Sequence, residues 1–125
     1  MHLEWKDTYL IGHADIDAQH QELFKRAQDL LSATSPDGQT LSAMRLYQYT
    51  RGHFAHEEGL MRSLNYPDIN THIRQHNDLL ERLTAISQDI AGGTLKKPDL
   101  EQFVTFWLLT HMATYDTLLA AYVRS

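Results

Sequence analysis

Apolar residues recur at three- and four-residue spacings in four stretches, the mark of amphipathic helices packed on a common core. From about residue 18 to 33 the stripe is Leu23, Phe24, Ala27, Leu30 and Leu31, and from about 40 to 64 it includes Leu46, Tyr49, Leu60 and Leu64. Over 69–91 it is Ile69, Ile73, Leu79, Leu80, Leu83, Ile86 and Ile90, and over 98–123 it opens with Leu100, Phe103, Val104, Trp107 and Leu108. Ser35-Pro36-Asp37-Gly38, Asn65-Tyr66-Pro67-Asp68 and Ala91-Gly92-Gly93 mark the turns between them. Asp68 is a suitable N-cap for the third helix, and Pro98 opens the fourth with Asp99 and Glu101 at the positive end of its dipole. Four helices joined by short turns predict an all-α, antiparallel up-down-up-down four-helix bundle. Residues 1–17 hold Trp5, Tyr9, Leu10 and Ile11 around Gly12 without a helical period, which predicts an extended N-terminal arm whose aromatics pack on the bundle. A chain of 125 residues suits one domain with one core.

Polar residues sit on these apolar faces. His20 lies one turn before Leu23 and Phe24; His53 and Glu57 share the inner face of the second helix, His72 and His76 that of the third, and His111 continues that of the fourth. Residues four apart stack on one helical face, so His53 with Glu57, and His72 with His76, can each aim two groups at one place. The Pro67 turn folds the third helix back on the second and brings both pairs to a shared interior. A carboxylate buried there demands a compensating cation. Nitrogen and oxygen donors without thiolate suit iron, copper, zinc or manganese.

His56 and Glu58 fall off the stripe and are expected in solvent with no role; His13 would line an access route or face solvent, and solvent is the expectation. Gly52 and Gly59 are costly within a helix, and close helix packing beside the site would account for them. In the fourth helix the pattern splits after His111. Tyr115 and Leu118 continue the regular phase, whereas Asp116, Leu119 and Val123 continue it after a slip of one residue. His111 and Asp116 are five apart, so Asp116 reaches the other donors only from the stripe's edge or through a local π-bulge.

Composition narrows the function. Eight histidines in 125 residues are the outstanding feature, and the lack of cysteine removes disulfides and thiolate chemistry. A net charge of −5 without a basic cluster argues against nucleic acid or anionic membrane as partner. The most apolar run, Phe103 to Ala113, is too short to span a bilayer, and Met1-His2-Leu3-Glu4-Trp5-Lys6-Asp7 lacks the features of a signal peptide. A cytoplasmic location is the expectation.

The order of motifs resembles a known family. His20 within Ile16-Asp17-Ala18-Gln19-His20, His53-Phe54 with Glu57-Glu58 and Met61, Tyr66-Pro67-Asp68 leading to His72 and His76, and Trp107-Leu108 with His111 and Asp116 are similar to the hemerythrins, in particular the bacterial ones, over nearly the whole chain. The resemblance implies a non-haem di-iron centre with an oxo or hydroxo bridge. His72, His76 and His111 would hold one iron, His20 and His53 the other, and Glu57 and Asp116 would bridge them. It implies reversible dioxygen binding at an open iron position, in a carrier, store or sensor domain. Leu108 matches a position lining the family's oxygen pocket, with Phe54, Trp107 and Met112 as neighbours; ordinary core packing accounts for these four equally well.

Other functions compete with this one. A nitric oxide or redox sensor, or a di-iron peroxidase or oxidase, would use the same open position. The ExxH repeats of ferritin-like oxidases are absent, and the fourth residue after His56 is Leu60, so there is no HExxH. Binding is therefore preferred to turnover. A metal-free bundle would bury five histidines and two carboxylates without compensation. The chain closes on Tyr122-Val123-Arg124-Ser125 without a glycine or proline stop, which leaves room for a C-terminal output domain beyond it.

Overall fold

The computed structural model describes residues 7, 10, 12–106, 111 and 116–124. Helices α1 (Ala14–Ser32), α2 (Pro36–Ser63) and α3 (Ile69–Ala91) are followed by α4 (Lys97–Thr105) and α5 (Thr117–Arg124), two pieces of the fourth helix of an antiparallel bundle. Between the last two, Phe106, His111 and Asp116 lie in π-helical backbone. Trp5, Tyr9 and Ile11 of the expected arm, and Trp107, Leu108, Met112 and Tyr115, lie outside the described residues. Among the described residues no helix is long and apolar enough to cross a membrane.

Two helices begin earlier than the periodicity suggests, each for a capping reason. α1 starts at Ala14 because the Nδ1 of His13, not an ordinary cap residue, accepts the Ile16 N–H at 3.3 Å, and Asp15 and Asp17 favour the first turn. α2 starts at Pro36, since Ser35 Oγ accepts the Gly38 N–H at 3.0 Å and proline occupies the first turn rather than a free-standing bend. His13 is thus half-buried in a cap, where solvent exposure was expected. Asp68 precedes α3 as expected but makes no side-chain cap bond. Between α2 and α3, Asn65 takes φ 53°, and the Tyr66 N–H reaches back to the Met61 carbonyl at 2.9 Å to close the helix end.

Among the described residues the core is divided. A large cluster joins Leu23, Phe24, Ala27 and Leu30 of α1, Ala43, Leu46 and Phe54 of α2, Leu79, Leu83, Ile86 and Ile90 of α3, and Leu100 and Val104 of α4. Two small ones lie elsewhere: Ile16 with Ala120, and Met61, Tyr66 and Leu119 with Ile69, Ile73, Tyr122 and Val123 beside them. Along α1, α2 and α3 respectively, His20, Glu57 and His76 fall between the large cluster and the small ones.

Two expectations about faces are corrected. Met61 is fully buried while Leu60 and Leu64 are only partly so, because the inner face of α2 follows Leu46, Thr50, His53, Glu57 and Met61. Gly52 and Gly59 are exposed, and a Cβ at either would meet nothing within 4 Å, so close packing does not explain them. Gly52→Ala and Gly59→Ala should each therefore raise stability by about 1 kcal/mol, since only the backbone entropy term remains. Denaturant unfolding of each variant measures this; a loss of stability would show that a neighbour does approach.

The fourth helix resolves its ambiguity in favour of the slipped phase. Leu119 is fully buried, Leu118 is 55% exposed, and Asp116 is fully buried. A turn widened to i→i+5 bonding turns residues five apart toward one side, and this is what lets Asp116 follow His111 into the interior.

Candidate metal centre

His20 comes from α1, His53 and Glu57 from α2, His72 and His76 from α3, and His111 and Asp116 from the π-helical backbone after α4; all are buried. Five Nε2 atoms converge on two carboxylates. Glu57 Oε2 lies 3.5 Å from His20 Nε2 and 3.3 Å from His53 Nε2, while Oε1 lies 2.6 Å from His72 Nε2 and 3.1 Å from His76 Nε2. Asp116 repeats the pattern: Oδ2 is 3.2 Å from His20, and Oδ1 is 3.1 Å from His72 and 3.2 Å from His111. Each carboxylate thus turns one oxygen to the His20 side and the other to the His72 side. Donor atoms of Glu57, His72, His76 and His111 lie within 4.8 Å of one another, as do those of His20, His53 and Glu57.

These contacts need a positive centre. A neutral imidazole donates one proton. His76 Nδ1 meets Glu58 Oε2 at 2.9 Å while its Nε2 faces Glu57, so carboxylates stand on both sides of one ring. Asp116 is fully buried, and among the described residues neither of its oxygens accepts a well-aligned hydrogen bond. A cation between the imidazoles and the carboxylates satisfies both conditions, and the donor set of nitrogen and oxygen matches non-haem iron as well as zinc or manganese.

Titration of the metal-free site follows the same logic. Burial opposes protonation of His20, but the adjacent Asp116 and Glu57 outweigh it and push the imidazole up to about 10; the same balance takes His72 to about 9. Burial holds His53 below the ordinary imidazole range, leaving its Nε2 lone pair directed at the site. For Glu57, burial favours the neutral acid, yet the surrounding histidines hold the carboxyl well below its usual range. Asp116 is likewise lowered, against burial and the Glu57 charge, by His111 and His20.

The stability of metal-free protein should therefore depend on pH in a definite direction. The raised groups bind more protons folded than unfolded, so the stability from His20 and His72 is complete below their ordinary value of 6.5 and lost as pH climbs through about 9 to 10. His53, being lowered, works the other way near 6.5, but it is one group against two. Stability from Glu57 and Asp116 is present above their ordinary values of 4.5 and 3.8 and is lost as pH falls through their lowered folded values. Thermal melting of chelator-treated protein should show a midpoint that falls steadily from pH 7 to pH 10; a midpoint rising over that range would contradict the charge balance.

Around the donors, Phe54 stacks on the His76 ring at 3.8 Å between centroids and lies 5.7 and 5.8 Å from His53 and His111. Of the four expected pocket residues it alone is described, and it stands against the site. Three further residues escaped the sequence reading. Gln19 Oε1 accepts from His53 Nδ1 at 2.8 Å, and its Nε2 meets Nδ1 of the exposed His56 at 2.7 Å. Glu58 is half-buried rather than solvated and holds His76. Tyr66 sets its ring edge-on to His72 at 6.3 Å. Gln19 and Glu58 adjoin ligand-type residues in sequence, and that adjacency was the available signal.

Comparison with known proteins shows the family to which the chain is similar. Residues 12–123 match the family model described as the hemerythrin HHE cation binding domain. The chain is 27% identical to a myohemerythrin of Theromyzon tessulatum over 90% of its own length and 87% of the relative's. It is 28% identical to a hemerythrin of Sipunculus nudus, over 90% of this chain and 86% of the relative. It is also 28% identical to a bacteriohemerythrin of Stenotrophomonas maltophilia, over 98% of this chain and 82% of that one. A crystal structure of a hemerythrin mutant superposes with a TM-score of 0.86 at 20% identity, covering 98% of this chain and 97% of the other.

Proposed function

The chain belongs to the hemerythrin HHE cation-binding family, and on that premise we propose that it holds two non-haem irons and binds dioxygen reversibly. His72, His76 and His111 are the ligands of one iron, His20 and His53 of the other, and Glu57 and Asp116 bridge them with an oxo or hydroxo group between. The observation that carries this reading is the facing of each carboxylate, one oxygen toward the His20 side and the other toward the His72 side. When bound, two irons would supply the redox chemistry that reversible dioxygen binding requires. The chain's part is to hold the pair and keep it dry. With three imidazoles on one side and two on the other, the two-histidine side would be the one with room for a small ligand. Phe54, stacked on His76, presents an apolar face that excludes water from the donors.

The test is the visible spectrum of reduced, iron-quantified protein before and after oxygen is admitted. A charge-transfer band that appears with oxygen, disappears when oxygen is removed, and scales with two irons per chain is the expected result. One-way conversion to a stable oxidised spectrum would overturn reversible binding and point to redox sensing or an oxidase. Hydrogen exchange in α5 then separates roles: an oxygen-dependent change supports a sensor that acts through the last helix, and an unchanged α5 supports a carrier or store.

A further inference from the structure

The two groups of histidines differ on the side that faces away from the carboxylates. His53 donates Nδ1–H to the amide oxygen of Gln19 at 2.8 Å, and Gln19 is fixed in that orientation because its Nε2 donates to His56 Nδ1 at 2.7 Å. His76 donates Nδ1–H to the carboxylate of Glu58 at 2.9 Å. The Glu58 side chain is 18% exposed, and Arg62, 3.8 Å away and largely in solvent, dilutes its charge only weakly. His53 therefore carries a neutral outer partner and His76 an anionic one. Both partners lock the tautomer that turns Nε2 inward. An anion on the ring N–H does more, because it draws the proton outward and makes Nε2 a stronger donor.

We propose that Glu58 and Gln19 are positioning residues that make the two metal positions unequal, with Glu58 giving the His72, His76 and His111 position the tighter hold on its metal. Gln19 orients His53 without adding charge, so the position of His20 and His53 fills second and releases its metal first. The inference rests on the reading of the site as a two-metal centre. Three imidazoles against two already favour that order, and what the inference adds is that the outer partners Glu58 and Gln19 widen the difference.

Co2+ is the probe, since its ligand-field bands report each position without oxygen chemistry. Metal-free wild type titrated anaerobically should take up two Co2+ in resolvable steps. Glu58→Gln keeps a hydrogen-bond acceptor and removes the charge; it should weaken the tighter step by about 10- to 100-fold and leave the other within about threefold. Gln19→Glu should tighten the weaker step and bring the two together. Far-UV circular dichroism checks that each variant keeps its helices, and if Glu58→Gln does not fold, Gln19→Glu carries the test alone. Wild type with two steps and variants in which neither step moves would overturn the proposal while leaving the two-metal reading intact. A wild type that accepts one Co2+ would overturn both.

Discussion

Glu57→Ala is expected to empty both metal positions. The Glu57 carboxylate faces four of the five imidazoles, two through each oxygen, and among the described residues no other side chain does so. Losing an outer hydrogen-bond partner of a ligand costs about 10- to 100-fold in metal affinity, and losing a shared inner ligand should exceed this at each position, beyond about 100-fold. The damage extends to the protein without metal. His20 is charged there at neutral pH and would keep Asp116 but lose Glu57 as counterion, so the metal-free variant should also be less stable than metal-free wild type. Metal content and thermal unfolding read the two effects separately. An iron-replete Glu57→Ala protein with the wild-type spectrum would rule out the bridging role.

Removal of both metals from the unaltered chain should lower the melting temperature by about 24–40 °C. Metal present at a thousand times its dissociation constant contributes about 4 kcal/mol per site, and each kcal/mol moves a chain of this size by about 3–5 °C. Protons on His20 and His72 offset part of this loss near neutral pH, so the difference between loaded and stripped protein should widen as pH rises toward 9. Acid acts in reverse, because every ligand must lose its proton to bind. Paired melting curves with and without chelator at several pH values decide the matter, and coincident curves would mean that the polar layer is stable without a cation.

Much of this was legible in the sequence because the bundle and the convergence of its polar residues share one cause. The 3.6-residue period that places Leu23 or Leu83 inside also places His20 and His76 inside, so reading the core reads the donors. The slip at Asp116 was legible as a conflict of phase, with Leu118 and Leu119 competing for the interior, and it took the backbone to choose Leu119. Glu58 was illegible for a geometric reason. A helical stripe tells which way a residue leaves its own helix, but Glu58 leaves α2 sideways and meets His76 on α3. Gln19 and His56 bridge α1 and α2 in the same way. The starts of α1 and α2 were missed because His13 is not a residue expected to cap and Ser35-Pro36 reads equally as a turn or as a cap followed by a first turn.

The divided core also shapes how the molecule comes apart. Among the described residues, Met61, Tyr66 and Leu119 form an apolar patch smaller than the cluster around Leu30 and Leu83, and the Tyr122 hydroxyl donating to the Leu64 carbonyl at 3.0 Å gives it a polar tie. Without metal this end can open as a unit of its own, at a free energy below that of global unfolding, while the larger cluster stays closed. Amide protons near Leu119 and Ile69 should then exchange well before those near Leu30 and Leu83. Such an opening would uncover His72 from the side where the Tyr66 ring now stands edge-on to it.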